Sequence, residues 1–228
     1  ETPGWLPYAH GYHHEFAQIE ANPWLDHALG LCFCSACKQV AKDQQINVDG
    51  LQSRLGKHVN NYFKTEFPSN DLEQFFKEDS DVINYIQMRQ RRVTNLVADI
   101  AAAIPATTQL AVIPSVQRPT ANCWAEGSDL VALAGVADFL EIPFYESSAR
   151  QVIEDAKATL QTLGGLGQVR GILRPGYPDL KQAEEIQQAI AGLQELGIQD
   201  LAFYNYGLLP RYQLDKLAHC LNTLKAIS

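Results

Sequence analysis

The chain has 228 residues, 46% of them hydrophobic and 19% charged, with a formal net charge of −8 at pH 7. That length and apolar share supply a sizeable core and exclude a disordered chain, while the acidic balance argues against a nucleic-acid backbone or an anionic membrane as partner. Five cysteines, an odd number in a chain too large to need disulfide staples, point to a reducing, cytoplasmic compartment, and with no run of about 18 apolar residues the chain reads as soluble.

Residues 1–47 are rich in Gly, Pro, His and aromatics and show no sustained period, so they read as a long ordered loop with one short helix at Asn22–Leu31. Two runs stand out in it, "HGYHHE" (His10–Glu15) and "GLCFCSACK" (Gly30–Lys38). From Val48 the apolar residues recur every three or four positions. This predicts amphipathic helices over Val48–Phe67 and Ser80–Ile104, with Asp49 and with Asp79 and Asp81 near their starts. After Pro105 a strand–helix pattern runs four times. Gln109–Val116 precedes the helix Ser128–Ala137, Asp138–Tyr145 precedes Ser148–Leu163, Gln168–Pro175 precedes Asp179–Leu196, and Asp200–Gly207 precedes Pro210–Ala226.

Alternating units with near-continuous apolar strands predict an α/β fold, a parallel sheet covered by helices. The glycine fingerprint of a dinucleotide fold follows none of the strands. "GGLGQVRG" (Gly164–Gly171) comes nearest but lies before a strand. Polar and aromatic residues gather instead after each strand: Arg118 and Glu126, Tyr145 and Glu146, Arg174 and Tyr177, Asn205 and Tyr206. That is where a (β/α)8 TIM barrel keeps its active site. Four strands make half of such a barrel, and "ETPGW" reads as the exit of strand four with Glu1 at its tip. The expectation is a single barrel domain or fragment over 1–228: a loop region at 1–47, helices at 48–104 and four β/α units at 105–228. Its raw sheet edges call for an N-terminal half-barrel or a homodimer partner.

The segments "ETPGW", "GYHHE", "LCFCSACK", "VDG", "RPT", "EGSDL", "LRPGYPD" and "FYNYG" together resemble a bacterial family of hypothetical glycosyl hydrolase-like TIM barrels of unassigned activity. The resemblance spans essentially the whole chain and is sharpest at the first loop and the last strand. It implies a glycosidase-like barrel acting on a carbohydrate or oligosaccharide. A second, more distant likeness is to clan-A beta-galactosidases with a zinc knuckle, whose C-x-C-x-x-C motif is matched by Cys32, Cys34 and Cys37. It implies a structural zinc completed by a cysteine from earlier in the chain.

The cysteine run itself admits three readings: thiolate ligands of a metal, packed small side chains with Phe33 turned inward, or a disulfide. For a metal, the fourth ligand comes from His10, His13, His14, His27 or Cys123. Three thiolates damp Lewis acidity, so the metal is structural, and no other cofactor is required. His13, His14 and Glu15 sit close after the first strand tip, either binding substrate or pinning a loop by hydrogen bonds to backbone.

Glycoside hydrolysis needs two carboxyl groups about 5 Å apart for retention or about 6.5–9.5 Å apart for inversion. Glu1 is expected as acid/base and Glu146 as second carboxylate, because the strand Gln168–Pro175 ends in Arg174 where clan-A enzymes carry a nucleophilic Glu. Alternation turns Leu140 and Ile142 to the helices and Phe139 and Glu141 to the barrel interior, where Arg170 or Arg174 can pair with Glu141. Arg118, Glu141, Arg174, Tyr177, Tyr204, Asn205 and Tyr206 join His13, His14 and Glu15 as substrate-binding candidates, with Trp5, Trp24 and Trp124 as further loop aromatics. The competing functions are a sugar-binding or scaffolding barrel without catalysis and a metal-dependent isomerase or aldolase-type barrel.

Overall fold

The structure, a computed structural model, describes residues 23–64, 71–114, 127–165 and 167–225. They fall into two compact units. A helical unit takes the chain up to Leu96 and the segment ending at Asp129, and an α/β unit takes Val97 onward outside that segment. Among the described residues no helix is long and apolar enough to cross a membrane.

The helical unit contains α1 (Pro23–Gly30), α2 (Ser35–Asp43), α3 (Val48–Tyr62), α4 (Asp71–Glu78) and the larger part of α5 (Ser80–Ala103). The Asn47 side chain caps α3 by accepting the Gly50 N–H at 3.1 Å. Asp49, two residues on, lies in the first turn and pairs with Lys38 and Lys42. Asp79 caps α5 by accepting the Asp81 and Val82 N–H groups at 3.0 and 3.1 Å. Arg54 of α3 reaches the carboxylates of both Asp79 and Asp81 at 2.8 Å, tying the middle of one helix to the start of the next. Leu51 and Leu55 of α3, Phe75 and Phe76 of α4, and Val82 and Tyr85 of α5 form the buried core with Leu25 and Ala28 of α1.

In the α/β unit, β1 (Ala111–Val112), β2 (Phe139–Pro143), β3 (Gln168–Leu173) and β4 (Leu201–Phe203) form a parallel sheet in the order β1-β2-β3-β4. Helices α6 (Leu130–Ala134), α7 (Ala149–Leu163), α8 (Ala183–Glu195) and α9 (Arg211–Lys225) follow the four strands in turn. The α/β class and parallel pairing expected from the strand–helix repeat are present. Strand order equals chain order, so every crossover steps in one direction. A doubly wound sheet reverses that direction at a switch point.

The register shows what each face carries. Leu140 lies opposite Val112 and Val169, Ile142 opposite Gly171, and Leu173 opposite Phe203. These residues, apart from Gly171, join Val152 and Ala156 of α7, Ile190 and Leu193 of α8 and Leu217 of α9 in one apolar cluster, so this face packs on the helices. The glycine at 171 keeps that packing close: a Cβ there would lie 3.0 Å from Leu201 and 3.3 Å from Leu193. By alternation the other face carries Phe139, Glu141, Arg170, Ile172 and Ala202. Helix α7 begins at its Ser148 cap, which accepts the Gln151 N–H, and ends on Gly164 in the left-handed region with φ 58°.

Candidate functional site

Alternation continues past the strand ends and decides what reaches the C-terminal rim. Phe144, Leu173 and Phe203 belong to the helix-facing cluster, so the residues after them, Tyr145, Arg174 and Tyr204, turn to the other face. Backbone hydrogen bonds from Phe144 N–H to the Ile172 carbonyl and from Tyr204 N–H to the Leu173 carbonyl, both 2.9 Å, carry the pairing to these tips. The Tyr145 and Tyr204 rings lie 5.8 Å apart, centroid to centroid, and the Arg174 guanidinium sits 4.7 Å over the Tyr145 ring. Arg174 is also held by buried Asp179, Nε to Oδ2 at 2.5 Å, across a loop closed by the Pro175–Leu180 bridge. Two rings and one oriented cation thus come together at the ends of three consecutive strands.

The other expected binding groups are placed as follows. Tyr177, on the loop after β3, is 83% exposed, and Tyr206, at the start of a 3-10 turn after β4, is 79% exposed. Asn205 uses its side-chain oxygen to accept the Gly207 N–H at 2.9 Å, shaping the turn that presents Tyr206. Glu141 pairs with Arg170 at 3.4 Å, on the face away from the helices. Arg170 also reaches Asp200 and lies 3.5 Å over the Phe139 ring, which makes this an ion-pair layer within the sheet rather than a group at the rim. Glu146, next in the alternation after Tyr145, is only 3% exposed. Glu1, His13, His14, Glu15, Arg118, Glu126 and Cys123 lie outside the described residues. A cavity of about 360 Å³ opens at the opposite end of the sheet, between Phe139, Leu163, Leu196 and Asp200. In parallel α/β folds that end serves stability rather than chemistry.

The cysteine run belongs to the helical unit. Cys34 is the N-cap residue of α2, with Cys37 in its first turn and Cys32 just before it. Their Sγ atoms all lie within 4.8 Å of one another, and no side chain from elsewhere joins the group among the described residues. Helix α5 holds the run from beneath. The Phe33 and Tyr85 rings stack at 5.3 Å, the Tyr85 hydroxyl donates to the Cys32 carbonyl, and the Arg89 guanidinium lies 3.4 Å from the Gly30 carbonyl. Cys32, Cys34, Cys37 and Cys220 are free thiols, with Cys34 exposed and Cys32 and Cys37 half-buried.

A backbone hydrogen bond from the Cys37 N–H, aided by the neighbouring thiols, lowers the Cys34 pKa to about 7. Burial, together with hydrogen bonding to the two neighbouring thiols, pushes Cys37 up to about 12. His27, a candidate fourth ligand, packs instead against the Trp24 and Phe76 rings at 5.7 and 6.1 Å. The three thiols can hold a soft or borderline metal ion, and the exposure of Cys34 leaves that side open to a further ligand.

Sequence reasoning noted Tyr145 but passed over it as a binding group, and it placed Asp179 at a helix start. The signal for Tyr145 was the parity of its strand, carried two residues beyond Pro143, whereas no spacing marks Asp179 in the loop after β3. The chain matches no family model, no curated protein and no solved structure.

Proposed function

We propose that the α/β unit is part of a (β/α)8 barrel whose C-terminal rim binds a carbohydrate, as a glycoside hydrolase-like protein. The observation that carries this reading is the convergence of Tyr145, Arg174 and Tyr204 at three adjacent strand tips. Tyrosine rings stack on the C–H faces of sugars, and a guanidinium fork donates to their oxygens. The unreversed strand order favours a barrel over a doubly wound sheet.

Hydrolysis adds two carboxyl groups, for which Glu1 and Glu146 are assigned. Assay of the full chain on a panel of oligosaccharides is expected to show turnover, lost in both Glu1→Gln and Glu146→Gln. Turnover undiminished in both variants removes these residues from the chemistry. Binding without turnover assigns the protein to the sugar-binding class instead.

A second reading belongs to the helical unit: Cys32, Cys34 and Cys37 hold a zinc ion that cross-links the start of α2 to the preceding loop. The three-thiol donor set favours it. Three thiolates donate enough charge to leave the metal structural, so no catalytic step passes through it.

A further inference from the structure

Single exposed tyrosines are ordinary on a protein surface, but several on connected loops are not. Beyond the rim cluster, Tyr177 and Tyr212 are 83% and 66% exposed, and each has an ammonium group over one face of its ring. Lys181 Nζ lies 5.2 Å from the Tyr177 centroid, and Lys216 Nζ lies 5.8 Å from that of Tyr212. The two pairs come from different segments, the loop after β3 and the first turns of α9, which pack side by side. Lys216 Nζ donates to the Lys181 carbonyl at 2.9 Å. At the other end of the contact Gly176, with φ 109°, comes so near α9 that a Cβ would meet Gln213 Nε2 at 3.0 Å.

The cations of these two segments are not all in direct ion pairs. Arg174 is paired with Asp179 and Arg211 with Asp215, whereas Lys181 and Lys216 have no carboxylate partner among the described residues. Each of these two ammonium groups keeps an exposed tyrosine ring as its neighbour and leaves its charge open to an anion from solution. A neutral sugar would use the rings and leave both ammonium groups to water. A sugar carrying a carboxylate uses both, stacking its face while the acid group meets an ammonium.

We infer that the pairs Tyr177/Lys181 and Tyr212/Lys216 form an accessory subsite for acidic sugar residues, so that the ligand is an anionic polysaccharide of uronate type. This rests on the carbohydrate reading of the rim and names the substrate class for it. The subsite selects charged over neutral polymers and extends the rim from one sugar unit to several.

The test is a titration of the full chain with polygalacturonate, with its fully methyl-esterified form and with a single-stranded oligonucleotide, each at low salt and at about 150 mM salt. The free acid is expected to bind about tenfold more tightly than the ester, the effect of two exposed ion pairs. The double change Lys181→Gln and Lys216→Gln is expected to bring the acid down to the ester's affinity without altering ester binding. Tyr177→Ala and Tyr212→Ala are expected to weaken both polymers. Equal affinity for acid and ester overturns the inference while leaving the rim reading in place. An oligonucleotide that binds as tightly as the acid also overturns it, because charge alone would then explain the binding. Failure of both polymers to bind overturns the inference and the rim reading together.

Discussion

Acidification from pH 6.5 to pH 4 is expected to remove about 3 kcal/mol from the stability of the helical unit through His27 alone. Burial lowers its pKa from 6.5 to about 4, and at about 1.4 kcal/mol for each tenfold change in proton affinity the loss follows. The ring is 3% exposed and packed against Trp24 and Phe76, so a charged imidazolium there would lose most of its hydration.

The unfolded chain binds the proton from pH 6.5 downward and the folded chain only near pH 4, so stability rises with pH between those values. The contribution is complete above pH 6.5 and falls no further below pH 4. Asp79 acts in a separate window. Burial pushes its carboxyl up, but the Arg54 guanidinium and the Val82 N–H outweigh that and hold it below 3.8, so its share is lost only at lower pH. Urea unfolding across this range should show the loss in the natural sequence and a much flatter profile in His27→Leu. Parallel profiles would assign the acid lability to another group.

The second large effect concerns the thiols. Cys37→Ser is expected to weaken zinc binding on the order of 100-fold, since roughly 10 kcal/mol of binding shared among three thiolates gives Cys37 about 3 kcal/mol. The pH dependence has a definite sign. Cys37, pushed up to about 12, must give up its proton to the metal at neutral pH, whereas Cys34, near 7, is already about half ionised there. Affinity therefore rises with pH, and each metal bound releases protons. Cobalt(II) titration, followed through the thiolate charge-transfer band, reads both quantities. Cys220→Ser serves as control, because that thiol is buried in the α/β unit beside the Ala183 carbonyl. Equal affinity in the Cys32, Cys34, Cys37 triple serine variant would remove the metal from the account.

Much of this was legible wherever a local rule had no competitor. In Phe139–Pro143 apolar residues flank one charged position, so period two placed Leu140 and Ile142 on the helices and Glu141 opposite Arg170. Thiol proximity was also legible, because three cysteines within six residues at a helix start cannot spread far apart. Helix α2 was missed because Ala41 is its one fully buried residue among nine, too little to show a period. Helix α4 did carry a signal, with Leu72, Phe75 and Phe76 at three- and four-residue spacing, but its eight residues fell between two longer helices.

The cap of α3 shows two competing choices: Asn47 and Asp49 both suit an N-cap, and the lysines of α2 draw Asp49 away. Asp179 reads as a helix start in sequence, yet α8 begins at Ala183 because the Arg174 pair and the Pro175–Leu180 bridge keep the intervening chain in a loop. The burial of Glu146 and the packing of His27 between rings come from tertiary contacts that no spacing encodes.

The rim claim is tested most directly by the affinity of an oligosaccharide for the natural chain and for Tyr204→Ala. Tyr204 is the better choice over Arg174, whose loss would leave Asp179 buried without its partner. At 45% exposure Tyr204 can be cut back with little effect on folding. The account predicts a loss of about tenfold, the value of one ring stacked on a sugar, with unchanged thermal unfolding. Undiminished affinity in a variant that unfolds like the natural chain would place the sugar elsewhere and contradict the claim.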